Sequence, residues 1–361
     1  MTVRSIVCSR HAVAVLSGLV LAVSSRTADG QAERRTLSGE RVAVYNLAGR
    51  VRVQSGTGSQ VTVDITRGGA DARNLKIESG DVRGWNALRI IYPSDRVVYR
   101  DRGDSYRTTL TVNADGTFGD GRGDRGFFSR DRDRVEIRSS GSGMDAYADL
   151  TISVPKGQRV AVHLGVGEAI VTNVDGDVMV DVAAARVEAS QTRGRLSLST
   201  GSGSVTVTDA QGTIDLDTGS GGATVSGVRG ESLRMDTGSG SIRVTDIDVR
   251  EFDADVGSGG MRLLGVKSPR ITLDAGSGSV ELELLADVDD LRIDTGSGGV
   301  TVRIPTVLGA EVEIETGSGG IDTEIPVTMT KWQRDYLRGT IGDGRGRIRI
   351  EAGSGRVRLV K

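Results

Sequence analysis

Cysteine, histidine, proline and aromatic residues are all scarce in this 361-residue chain, and each shortage excludes something. A single cysteine, Cys8, leaves no intrachain disulfide and no thiolate-based zinc site. The two histidines, His11 and His163, are too few for the usual nitrogen ligand sets. Five prolines against 52 glycines, without a strict triplet period, exclude collagen and proline-rich disorder. Aromatic residues make up 3% of the chain, so its core must be narrow and aliphatic. No charge of either sign dominates. A net charge of −2 offers no electrostatic footprint for nucleic acid or for an anionic membrane.

Long hydrophobic runs are also missing, with one short exception. Arg4, Arg10 and His11 precede a twelve-residue apolar run at 12–23, followed by small residues and a Gly30-Gln31-Ala32 cleavage-type sequence. Twelve residues are too few to span a bilayer and suit the core of an export signal. Residues 1–32 are therefore read as a signal peptide, with Glu33 near the mature start. Its removal takes away Cys8 and leaves 43 basic against 47 acidic residues, net −4. No later segment is long and apolar enough for a transmembrane helix. The expected location is outside the cytoplasm: periplasmic, cell-surface or secreted.

What the sequence has in abundance is a repeat. From residue 201 onward Gly-Ser-Gly begins at 201, 219, 238, 257, 276, 296, 317 and 353, at spacings of 18, 19, 19, 19, 20, 21 and 36. The last interval implies one masked copy. Stepping back by 18 gives the degenerate copies Ala183-Ala184-Ala185 and Gly165-Val166-Gly167. Aliphatic residues alternate on both sides of each glycine corner, as in Ile214/Leu216 before it and Ala223/Val225 after it. Period-two alternation of Val, Ile and Leu is strand chemistry with one face buried. A third apolar column follows nine residues after the corner at Ala210, Val228, Ile247, Val266 and Leu285. Three inward faces per repeat predict an all-β fold, a single-stranded three-sided β-helix (β-solenoid) with about 18–21 residues per coil. Roughly ten coils would stack to about 50 Å. Glycine corners suit a sharp turn that needs positive φ, and close stacking that leaves no room for side chains. A phosphate-cradling loop would open a helix, whereas each of these opens a strand.

Residues 156–361 form this repeat region. Residues 33–155 are less regular, with strand-like alternation at 41–53 and 60–65 and an Arg/Asp/Gly-rich insertion at about 94–142, expected as an excursion or hairpin. A short insertion at 326–338 carries Trp332, Tyr336 and Leu337 at helical spacing and predicts a short helix. The two Arg-Gly-Asp tripeptides at 102–104 and 122–124 are what chance supplies in a stretch of that composition.

Candidate sites are few. Alternation puts His163 on the outer surface, solvated and unsuited to a Ser-His-Asp arrangement. An acidic column stands two residues before each corner: Asp181, Asp217, Asp236, Asp255, Asp274, Asp294, Glu315 and Glu351, with Ser199 interrupting it. It is a candidate surface ligand or cation column, although calcium wants six to eight converging oxygens and each coil supplies one carboxylate. The structural alternative is that each carboxylate accepts a hydrogen bond from its own corner amide, as in Asx-turns, with Arg234, Arg292 and Arg349 offsetting charge. Thr200, Thr218, Thr237, Thr295 and Thr316 point inward and pack. No catalytic, cofactor or metal residue is assigned.

The stretch DLTISVPKGQRVAVHLGVGEAIVTNVDGDVMV (149–180), the Gly-Ser-Gly coils, and the ending GTIGDGRGRIRIEAGSGRVRLVK (339–361) resemble the bacterial putative-adhesin family, domain of unknown function 4097. The resemblance covers roughly 149–361, with a weaker match at 42–63. It implies a single-stranded β-helix in an envelope-associated or secreted protein and brings no catalytic residues. The leading expectation is an exported, non-catalytic structural or interaction protein whose partner is a cell-surface glycan or a protein. The competing one is a carbohydrate-active β-helix enzyme, a polysaccharide lyase or hydrolase, whose site would break the repeat in one region. The last strand, ending at Lys361, would leave an open coil edge suited to end-to-end self-association.

Overall fold

The computed structural model describes residues 33–100, 106–119 and 132–361. The signal-type segment 1–32 and both Arg-Gly-Asp tripeptides lie outside the described residues. What is described is nearly all strand, with one 3-10 turn at Ala72–Asn74. No helix among the described residues is long and apolar enough to cross a membrane.

The repeat folds as its alternation dictates. In strand Gln211–Thr218, Ile214, Leu216 and Thr218 face inward while Asp215 and Asp217 face out. Ile214 and Leu216 pair in parallel with Leu196 and Leu198 of the preceding coil and with Leu233 and Met235 of the next. Every aliphatic pair flanking a corner is buried. Each such side chain is worth about 1.5–3 kcal/mol when taken fully out of water, and only stacking achieves that here. The degenerate copies belong to the same stack, since Val166 pairs with Ala184 and Ala184 with Ser202. The result is an all-β, solenoid-like pile of parallel coils.

The corners are built by close approach more than by positive φ. A Cβ on Gly259 would overlap the carbonyl oxygen of Gly240 in the neighbouring coil, and Gly240, Gly278 and Gly298 are equally constrained. None of those four has positive φ, so the expectation of left-handed glycine corners is corrected there. Left-handed backbone appears instead at a second turn, in the register Asn173, Gln191, Asp209, Gly227, Asp246 and Gly265, with φ between 53° and 67°. Asn, Asp and Gly tolerate that region best, and Gln191 is the exception. In the third apolar column Ala210, Val228, Ile247 and Val266 are buried, but Leu285 is 49% exposed. Leu284 takes the inward place because the register slips between Leu263 and Val266, so that the next coil reaches this turn one residue sooner.

Three further expectations are corrected toward the C-terminal end. The segment at 326–338 is no helix: Thr328–Trp332 and Tyr336–Ile341 form an antiparallel hairpin. No repeat is masked in the 36-residue interval. The hairpin occupies that interval, and the final coil then inserts between two earlier ones. Gly346–Ala352 pairs with Asp290–Thr295 on one side and Ala310–Thr316 on the other. Val357–Val360 likewise lies between Val300–Arg303 and Ile321–Thr323. The last strand is therefore internal. Along this edge the hairpin covers Ala310–Thr316, and its outer strand Thr328–Trp332 carries a bulge and Lys331, both of which discourage further pairing.

At the other end, Arg41–Ser55 is a coil of the stack, in register with Gln158–Thr172. Antiparallel strands Val61–Gly68 and Glu33–Leu37 extend the sheet from Tyr147–Val154, tied by an Arg34–Asp64 ion pair at 2.6 Å. The insertion contributes a separate four-stranded sheet: Arg96–Val98, Arg107–Asn113, Arg132–Arg138 and Met144–Asp145. Within it Arg107–Asn113 and Arg132–Arg138 pair antiparallel. This side sheet packs over Gly165, where a Cβ would meet the Leu47 carbonyl and stand 2.9 Å from Leu110.

Candidate functional site

Parallel, in-register pairing converts the repeat into straight columns. One outward column runs Tyr45, His163, Asp181, Ser199, Asp217, Asp236, Asp255, Asp274, Asp294, Glu351 and Glu315, one residue per coil. All eight sequence-predicted carboxylates are thus brought into one line, with Glu351 and Glu315 in the order set by the inserted coil. The parallel outward column beside it runs Ala161, Met179, Ser197, Asp215, Arg234, Asp253, Thr272, Arg292, Arg349 and Glu313.

The carboxylates repel along their line. Partial desolvation and the neighbouring charges of Asp255 and Asp294 push the Asp274 carboxyl above its ordinary value. Relief is local: Arg349 lies 2.7 Å from Glu351, whereas Arg292 turns to Asp290 at 3.1 Å. The Asx-turn account of this column is corrected. The corner amides of Gly219, Gly238, Gly257 and Gly276 donate to carbonyls of the preceding coil, at 2.9–3.0 Å, so backbone stacking already satisfies them. The threonines do pack inward as expected, and Thr218, Thr295 and Thr316 donate to corner carbonyls of Gly221, Gly298 and Gly319. No group of three or more metal-ligating side chains converges among the described residues.

His163 departs most from expectation. It is 5% exposed rather than solvated. Its ring stacks on Tyr45 at 4.4 Å between centroids, Phe118 of the insertion meets it edge-on at 6.5 Å, and Nδ1 lies 3.4 Å from the Asp181 carboxylate. Alternation correctly gives its outward direction. What covers it is the insertion, whose docking has no periodic signal in sequence. At Gly119, with φ of +92°, a Cβ would overlap Asp181 Oδ2 and stand 2.8 Å from His163 Nδ1, so the backbone passes directly over the pair.

Beside that cover lies a cavity of about 700 Å³. Gly119 and His163 form one wall, and the two columns form the rest, from Met179 and Asp181 to Arg234 and Asp236. Its floor is the coil carrying Ser197 and Ser199, whose short hydroxyl side chains stand where neighbouring coils carry Met179 and Asp181, or Asp215 and Asp217. Asp181, Asp217 and Asp236 of the predicted column reach this cavity, and the other five do not line it. Gly119, Met179, Ser197 and Asp215 line the cavity without having been singled out in sequence, whereas Arg234 was named there only as a charge partner of the acidic column. The interruption at Ser199 marked the coil concerned, and Ser197 stands beside it in that coil. Two further cavities, about 380 and 600 Å³, flank the side sheet and touch neither column.

Comparison with known proteins gives one sequence-level match. The family profile described as Toastrack DUF4097 matches residues 107–359. No curated protein matches the sequence. Among solved structures, a putative adhesin from Parabacteroides merdae is 12% identical with a TM-score of 0.43, covering 91% of this chain and 95% of that one. A putative adhesin from Parabacteroides distasonis is 16% identical with a TM-score of 0.43, covering 92% and 98%. A putative cell adhesion protein from Clostridium sporogenes is 11% identical with a TM-score of 0.20, covering 91% and 99%. At these scores the three structures carry no argument about this chain.

Proposed function

Because the chain belongs to the Toastrack DUF4097 family, we propose that it is an exported, non-catalytic, adhesin-like interaction protein. Its coils are three-sided, and its regular outer columns form a rigid display surface for a cell-surface glycan or protein. The three-sided reading is supported by three sets of turning points in the early coils. These are the Gly-Ser-Gly corner, the left-handed residue near 173, 191, 209 and 227, and the positive-φ glycines 194, 212 and 230. Export is supported by the composition of residues 1–32.

One observation carries the interaction reading above the enzymatic one. The carboxylates that reach the cavity from the acidic column, Asp181, Asp217 and Asp236, are members of a column that continues as Asp or Glu for five further coils. Repeated acids are a property of the surface, whereas a lyase or hydrolase site needs carboxylates individually placed around one bond. Expression of the full chain in a Gram-negative host tests both parts. Processing near Glu33 with delivery out of the cytoplasm is expected, together with no new reducing ends and no unsaturated uronate when the protein meets a polysaccharide panel. An unprocessed cytoplasmic chain would overturn export, and polysaccharide cleavage would overturn the non-catalytic reading.

A further inference from the structure

We propose that the cavity beside His163 is a binding site for an amino sugar, a protonated primary amine on a hydroxyl-bearing ring. The inference rests on the reading of this chain as an interaction protein and adds a place and a ligand class to it.

Acidic residues alone do not make the site. The column continues through Asp255, Asp274 and Asp294, and none of these lines the cavity. What sets the cavity apart is the coil of Ser197 and Ser199, whose side chains are shorter than those beside them in both columns. Ser197 and Ser199 lie in the same coil and shorten both columns at once, opening a floor one strand spacing wide on each side. Met179, 43% exposed, adds an apolar edge that the corresponding positions, Ser197, Asp215 and Arg234, do not have. The passing insertion backbone at Gly119 turns an open sheet face into a concave wall. The volume, about 700 Å³, is in the range of small-molecule sites and accommodates one or two sugar rings.

The chemistry of the lining then selects the ligand. Four carboxylates, Asp181, Asp215, Asp217 and Asp236, line the cavity with one guanidinium, Arg234, while Arg195 reaches Asp215 from outside the lining at 4.0 Å and His163 stands beside Asp181. The excess of negative charge favours a cation and disfavours uronates and sialic acids. The serine hydroxyls and the carboxylate oxygens accept hydrogen bonds from ring hydroxyls and from an ammonium. Met179 offers a methyl surface to the C–H face of a ring. A protonated amino sugar uses all three features, whereas a simple polyamine uses only the charge.

Calorimetric titration of the full chain with a glucosamine tetramer tests this. Saturable binding at one site is expected. The N-acetylated tetramer, which has lost the ammonium, should bind at least tenfold more weakly, and spermidine should also bind more weakly than the tetramer. Asp215→Asn and Ser197→Leu should each weaken the tetramer at least tenfold. Asp274→Asn, in the same acidic face outside the cavity, should leave binding unchanged. Circular dichroism of each variant guards against misfolding, and a tetramer-induced chemical shift of the Met179 methyl gives a readout independent of the variants. Absence of tetramer binding, equal affinity for spermidine, or equal weakening by Asp274→Asn would overturn the site. Capture of some other glycan or protein by the chain would leave the interaction reading intact while this site fell. Cleavage of the tetramer would overturn the interaction reading itself.

Discussion

The outer face of the stack has two regimes. From Asp217 to Glu315 each coil presents a carboxylate at the same place, above the same inward threonine or small residue and the same glycine corner. From Tyr45 to Ser199 each coil presents something different: a phenol, an imidazole, a carboxylate, a hydroxyl. In the first regime the residues answer to the backbone, because every coil must fit against an identical neighbour. In the second, Tyr45, His163 and Asp181 answer to the insertion, through Phe118 and Gly119. Repetition therefore records what stacking requires, and individuality can appear only where the repeat is released.

The strictest test of the first regime is at its corners. Gly259→Ala places a methyl group on the Gly240 carbonyl and should cost about 4 kcal/mol, read as a lowered urea midpoint or as loss of soluble protein. Gly320→Ala is the internal contrast. It is a glycine beside a corner too, but nothing lies within 4 Å of its Cβ position, so its midpoint should stay within about 0.5 kcal/mol of the parent. Equal effects would mean that these glycines serve something other than close stacking.

The inward side of the same coils gives the next largest effect. Leu284→Ala removes a 2%-exposed side chain and should cost about 3 kcal/mol, while Leu285→Ala, half exposed, should be nearly neutral. Urea denaturation of both variants checks the register slip after Leu263. If Leu285 proved the costly one, the coil at 280–284 would hold the full-length register that the spacing of its neighbours predicts.

In the second regime, His163→Ala should cost about 1.5 kcal/mol through loss of the Tyr45 stack and the Phe118 edge contact. Hydrogen exchange sharpens the result, because loss of protection should concentrate at 106–119 and the Tyr45 strand. A loss spread evenly over the stack would separate His163 from the docking of the insertion.

How much of this was legible in sequence follows from the same division. Alternation around each Gly-Ser-Gly placed the buried pairs correctly, since a period of two admits one inward face. The acidic column and the inward threonines followed from the same count. Larger features escaped it. The helical spacing of Trp332, Tyr336 and Leu337 was outweighed by the antiparallel strands Thr328–Trp332 and Tyr336–Ile341, which cover the exposed side of Ala310–Thr316. The insertion of the final coil between two earlier ones left no mark, because coils in register are interchangeable as neighbours. The burial of His163 depended on Phe118 and Gly119, which reach it from a segment without periodicity. Of the candidate cavity, the column members and the break at Ser199 were visible, and the wall was not.

The smallest predicted effect probes what the regular regime tolerates. Asp274 sits between Asp255 and Asp294, and folding raises its pKa, so the native state binds its proton more tightly than the unfolded chain does. A raised carboxylate contributes its full stabilisation only below the unfolded value, 3.8, and loses it as pH rises through the folded value. At pH 7 the ionised column is therefore under mutual repulsion. Asp274→Asn should stabilise the protein by about 0.3 kcal/mol at pH 7 and low salt. The gain should shrink in high salt, as screening shortens the reach of the neighbouring charges. It should vanish well below pH 3.8, where the carboxyl it replaces is neutral in both the folded and the unfolded chain. Urea midpoints across that pH range decide the matter. Destabilisation at pH 7 would mean that Asp274 makes a favourable contact outweighing the repulsion, and that the column is held for its charge rather than merely endured by the stack.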